Sequence, residues 1–174
     1  MGEASFDKVS QEFAKEIKNL FNLKLNEYFA SIDYSFRNIY RSFGFEQKSV
    51  KGRTDVDFLL VTENSQVFDF LFCEAKAYTS WDKDQLKNKI DHIKSFASLA
   101  KAQNINANYY FLLFGVKPSN ETYEFVKKEL ETAPVQINLG GKYVSYNTRF
   151  KAQRCDENKK QDINGLFWNR RRCS

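Results

Sequence analysis

The chain has a single histidine, His92. That excludes a histidine-cluster metal centre and any mechanism built on two histidines. A Ser-His-Asp site would have to use His92, and no nucleophile-elbow pattern accompanies it. Seven glycines are dispersed along 174 residues, and none forms a phosphate-cradling loop of the Walker or dinucleotide type. The three cysteines, Cys73, Cys155 and Cys173, lack metal-ligand spacing. Cys73 reads as a buried strand residue and Cys155 could pair with Cys173, but a reducing compartment is the simpler reading. No apolar run is long enough to span a bilayer, and no cationic start leads into an apolar block. The expectation is a cytoplasmic, intracellular protein with no membrane partner.

What is present is aromatic: 17 phenylalanines and 9 tyrosines. Hydrophobic residues make up 42% and charged residues 28%, the balance of a globular chain long enough for a full core. The net charge of +5 is compatible with a nucleic-acid partner. One domain over 1–147 is expected, followed by a basic, aromatic extension over 148–174 that ends in Phe167-Trp168 and Arg170-Arg171-Arg172. Aromatics beside arginines suit bases and phosphates, and they equally suit a tail docked on its own domain.

The chain is organised around Arg53 to Ala77, two apolar runs joined by a short polar turn, which is a hairpin signal. On the second run Phe68, Phe70, Phe72, Glu74 and Lys76 share one face, because strand side chains alternate. Both faces are largely apolar, so the strand reads as central, and charges extending a buried row of phenylalanines need partners. Taking Asn64 and Ser65 as the turn centre sets Asp55 opposite Glu74 and Asp57 opposite Phe72, all on the face of Lys76. Cross-strand neighbours lie about 5 Å apart and diagonal ones about 7 Å. Carboxylates that close repel unless a cation joins them.

At Asp57, the following apolar run Phe58-Leu59-Leu60-Val61, and Glu74-Ala75-Lys76, the chain resembles the PD-(D/E)XK nuclease superfamily. The likeness covers about residues 40 to 116, with Val56 standing where that family usually has proline. It implies an α/β fold, a restriction-endonuclease-like mixed central sheet with helices on both faces. It also implies a Mg²⁺- or Mn²⁺-dependent endonuclease acting on DNA and leaving 5′-phosphate and 3′-hydroxyl ends. Asp57, Glu74 and the Ala75 carbonyl would bind the metal, with Lys76 acting on the attacking water or on the phosphate. Asp57 is chosen because it directly precedes the apolar run; Asp55 is held in reserve. Related nucleases carry a glutamine on the next helix, matched by Gln85, with Lys89 four residues on. Such enzymes often work as homodimers or with a partner subunit. The alternative on the same fold is an inactive nucleic-acid-binding or protein-interaction module.

Elsewhere the spacing of apolar residues predicts a helix from 6 to about 30 and a second helix over 33–42. The resemblance makes Glu12 and Glu16 on the first helix candidates for the site, though a solvated face is the favoured reading. A short strand is expected at 45–51, with Lys48, Lys51 and Arg53 near the acids. Ser80 would cap a helix reaching about Ala102, with Leu86, Ile90, Ile93, Phe96 and Leu99 inward. On that helix Gln85, Lys89 and His92 share a neighbouring side, and His92 reads as a surface or satisfied histidine. Asn108 to Val116 reads as a buried strand, and Ser119 caps a helix to about Thr132. Short strands at 135–139 and 142–146 around Gly140-Gly141 suggest a hairpin.

Overall fold

The computed structural model describes residues 17–24, 27–45, 54–76, 79–143, 150–155 and 167–172. The chain divides into two compact units, Met1–Tyr143 and Val144–Ser174. The first is mixed α/β. Its elements are β1 (Glu27–Ser35), α1 (Phe36–Ser42), β2 (Asp55–Asn64), β3 (Val67–Lys76), α2 (Lys83–Ala102), β4 (Ala107–Gly115), α3 (Asn120–Glu131) and β5 (Ile137–Tyr143). The strands form one mixed sheet in the order β1-β2-β3-β4-β5. β1, β2 and β3 run antiparallel in sequence, and β4 and β5 join parallel to β3. Parallel neighbours need a crossover, which α2 and α3 supply.

The β2–β3 turn differs from expectation by one residue. Its centre is Ser65-Gln66, both left-handed with φ of 52° and 67°, and Asn64 pairs with Val67. A two-residue loop with both central residues left-handed has the twist that suits a hairpin. Moving the centre by one residue moves every partner by two, so each side chain keeps its face. The facing of Asp57 and Glu74 thus holds although the expected pairing does not. Leu59 pairs with Phe72 and Phe58 with Cys73, where the ladder ends; Asp57 and Glu74 are the next residues on their strands, and Asp55 lies two positions further out.

Residues 27–35 form a strand rather than the ends of two helices. The helical spacing of apolar residues ends at Phe21, and β1 gains its stability by pairing with β2 from Glu27–Glu63 to Ser35–Asp55. Nearby tertiary pairing overrides the local pattern there. Gly140 and Gly141 lie within a single strand, β5, and do not turn a hairpin. A Cβ on Gly140 would fall 2.3 Å from the Phe21 ring, so the glycine admits that ring against the sheet. Residues 46–51, where a short strand was expected, lie outside the described residues, as do Glu12, Glu16, Lys48, Lys51 and Arg53.

One face of the sheet packs Leu59, Phe70, Phe72, Tyr109, Phe111 and Leu113 against α1, α2 and α3. The other packs Leu60, Leu71, Cys73 and Leu112 against Ile17 and Leu23, at the end of a helix over 17–21. The second unit contains an antiparallel ladder of β6 (Phe150–Cys155) and β7 (Phe167–Arg172), with Phe150 opposite Arg172 and Cys155 opposite Phe167. Cys173 lies outside the described residues. Among the described residues no helix is long and apolar enough to cross a membrane.

Candidate functional site

The β2–β3 ladder ends at Phe58–Cys73. Beyond that pair the Asp57 side chain takes over the bonding, its Oδ2 accepting from the Ala75 backbone N–H at 2.7 Å. In an extended strand the N–H and C=O of one residue point to the same edge, so the Ala75 carbonyl shares the edge facing β2. Glu74, next along β3, is fully buried. It follows Phe70 and Phe72 on the face covered by α2, as alternation requires.

Helix α2 closes the site. Asp82, not Ser80, caps it, accepting from the backbone N–H groups of Asp84 and Gln85. Trp81 Nε1 donates to the Val116 carbonyl at 2.8 Å, tying the helix entrance to the end of β4. Leu86, Ile90, Ile93 and Phe96 are buried at 1% exposure or less. Their burial is worth about 6–12 kcal/mol, an upper bound at 1.5–3 kcal/mol each. That exceeds the several kcal/mol needed to desolvate one ammonium, so the helix can carry Lys89 inside with it.

Lys89 is 4% exposed. Its Nζ forms an ion pair with Glu74 Oε2 and lies 3.3 Å from Asp57 Oδ1. The sequence reading gave Lys89 a lesser place on a side next to the buried stripe; it is instead the centre of the acid pair. The signal was present: at about 100° per residue Lys89 falls between Phe96 and Ala100 in the buried arc. Leu99, expected inward, falls outside that arc and is 38% exposed.

Lys76 reaches Glu74 from the rim. Its Nζ donates to Gln85 Oε1 at 2.8 Å and lies 3.0 Å from Glu74 Oε1. The latter is an ion-pair distance without hydrogen-bond direction, so Oε1 is buried with no hydrogen bond among the described residues. The structure therefore brings Asp57, Glu74, Ala75, Lys76, Gln85 and Lys89 together. Asp55 pairs with Ser35 and joins none of these contacts. Among the described residues no three His, Cys, Asp or Glu side chains form a metal-holding group, so the acids are a pair.

Two further residues shape the site. Burial pushes the Cys73 thiol far above its usual range, with the charges of Asp57 and Glu74 adding to the shift and Lys89 opposing it. Gly115, which the sequence reading assigned no role, has φ of +102°, and a Cβ there would meet the Lys76 carbonyl oxygen at 2.1 Å. That oxygen accepts from the Val116 N–H at 2.8 Å. Gly115 thus lets β4 close on the backbone of Lys76. His92 lies beyond the site, its ring stacked on Phe36 at 5.0 Å.

Comparisons with protein-family models, curated proteins and solved structures yield no match. The resemblance to the nuclease superfamily rests on this chain's own residues.

Proposed function

We propose that this chain is a Mg²⁺-dependent nuclease, acting on DNA through Asp57, Glu74 and Lys76, with Gln85 holding the lysine. The observation that carries this reading is the position of Lys76 Nζ, 2.8 Å from Gln85 Oε1 and 3.0 Å from Glu74 Oε1. An ammonium held between a neutral amide and a carboxylate has a fixed position at the rim from which it can meet a phosphate.

The donor set suits a hard divalent cation. Asp57 and Glu74 would hold it with the Ala75 carbonyl, and Glu74 Oε1 is a buried oxygen without a hydrogen bond among the described residues. Bound there, Mg²⁺ or Mn²⁺ supplies charge to polarise a phosphodiester and to acidify water. Lys76 stabilises charge developing on the phosphate or orients the attacking water. Gln85 limits the rotamers of Lys76, and Gly115 fixes the backbone from which that lysine extends.

One observation favours a second reading. Lys89 already pairs with both acids, as it would in an inactive nucleic-acid-binding or protein-interaction module on the same fold. Plasmid cleavage with and without Mg²⁺, on supercoiled and linear substrates, separates the two. Metal-dependent cleavage that disappears in Lys76→Ala is expected. Cleavage unchanged in Lys76→Ala and Glu74→Ala refutes the site, and its absence from the wild type favours the silent module.

A further inference from the structure

Three of the four oxygens of the acid pair accept hydrogen bonds within the fold. Asp57 Oδ2 takes the Ala75 N–H at 2.7 Å, and Asp57 Oδ1 and Glu74 Oε2 take the Lys89 ammonium. Glu74 is fully buried and Lys89 nearly so. A fully buried Glu74 with the half-buried Asp57 beside it requires a compensating cation. Lys89 provides one from the centre of a packed helix.

We infer that Lys89 is a built-in counter-cation that a divalent ion must displace, so that metal and Lys89 compete for Glu74 Oε2 and Asp57 Oδ1. The identity of the ion rests on the nuclease reading; the competition rests on the ion pairs themselves. The four-carbon stem lets the ammonium leave while its methylenes stay packed, because the charged end of lysine moves independently of its base. Metal affinity is then held down by an intramolecular competitor, and the acid pair keeps a paired cation when metal is scarce.

The test is calorimetric titration of Mn²⁺ into the full-length wild type and Lys89→Met, which keeps the length of the side chain and removes its charge. Lys89→Met is expected to bind Mn²⁺ at least about tenfold more tightly, given the size of a close charge–charge interaction in a partly shielded site. Equal or weaker binding by folded Lys89→Met overturns the competition. Should that variant fail to fold, side-chain NMR of lysine-labelled wild type decides, with Lys89 assigned through Lys89→Arg. Its ammonium signal should shift saturably as Mg²⁺ is added; a stationary signal overturns the inference. Wild-type plasmid cleavage measured alongside keeps the two proposals apart. Cleavage without the affinity gain removes only the competition, and the gain without cleavage removes only the nuclease.

Discussion

Gly115 shows how one residue far along the chain sets the position of a catalytic candidate. Its φ of +102° is open to glycine, and the Lys76 carbonyl occupies the place of a side chain. Gly115→Ala must push β4 away from Lys76 and adopt a strained backbone. A loss of roughly 2 kcal/mol or more is expected in urea denaturation. Nuclease activity, if present, should fall further than the lost folded fraction explains. Asp57, Glu74 and Lys76 were legible as candidates because strand alternation and the Glu74-Ala75-Lys76 spacing depend only on local sequence; Ala75 and Gln85 entered only through the family resemblance. Gly115 was not, because its constraint is a contact between strands 39 residues apart, Lys76 to Gly115. Lys89 was misjudged for another reason. A charged residue counted as solvated in the absence of knowledge of what it would meet, though its angular position on α2 was already within the buried arc.

At the level of elements, the β2–β3 hairpin and α2 each carry a measurable signature. Ser65 and Gln66 both hold positive φ, which costs a side-chain-bearing residue about 1–2 kcal/mol in regular left-handed conformation, less for asparagine. The Ser65→Asn, Gln66→Gly double variant should therefore stabilise the protein by about 1 kcal/mol, read as a rise in Tm. An unchanged or lower Tm contradicts the turn geometry. On α2, burial lowers the pKa of His92 from its ordinary 6.5, with Asp91 opposing the shift. The unfolded chain binds more protons than the folded one between the lowered value and 6.5, so stability rises with pH across that interval. The contribution is fully present above about pH 6.5 and is lost as pH falls through the lowered pKa. Comparing Tm at pH 8 and pH 5, wild type should lose more than His92→Gln; equal losses would show that His92 is not the titrating group. The hairpin and α2 were both expected from sequence, whereas β1 was not. Its only strong reason to be extended is the neighbouring strand it pairs with.

For the whole molecule, charge is unevenly shared between the two units. Residues 144–174 contain eight Lys and Arg against three Asp and Glu, while residues 1–143 contain nineteen of each. The entire net charge of +5 belongs to the second unit. If the chain binds nucleic acid, phosphate neutralisation should depend on that unit more than on the sheet domain. Replacing Arg170, Arg171 and Arg172 by glutamine should weaken binding uniformly across sequences. It should also flatten the plot of log affinity against log salt by up to about 2–3 units, near one per lost phosphate contact. A slope identical to wild type would move the nucleic-acid surface elsewhere. The proposed cleavage chemistry, which uses residues of the first unit alone, should survive that triple substitution at low salt.

The sequence alone determined the alternation that sets Asp57, Glu74 and Lys76 on one sheet face, since that parity survives a slip of the turn centre. It also determined the existence of α2 and α3, each with an apolar stripe and a polar cap, and of β4, an unbroken apolar run. Tertiary structure decided which residues at that face are in contact. The forking of β2 from β3 after Phe58–Cys73, the burial of Lys89 between two acids, and the close approach of β4 at Gly115 all depend on distances across elements. Local pattern constrains direction, but only packing constrains distance, and the chemistry of charged groups depends steeply on distance.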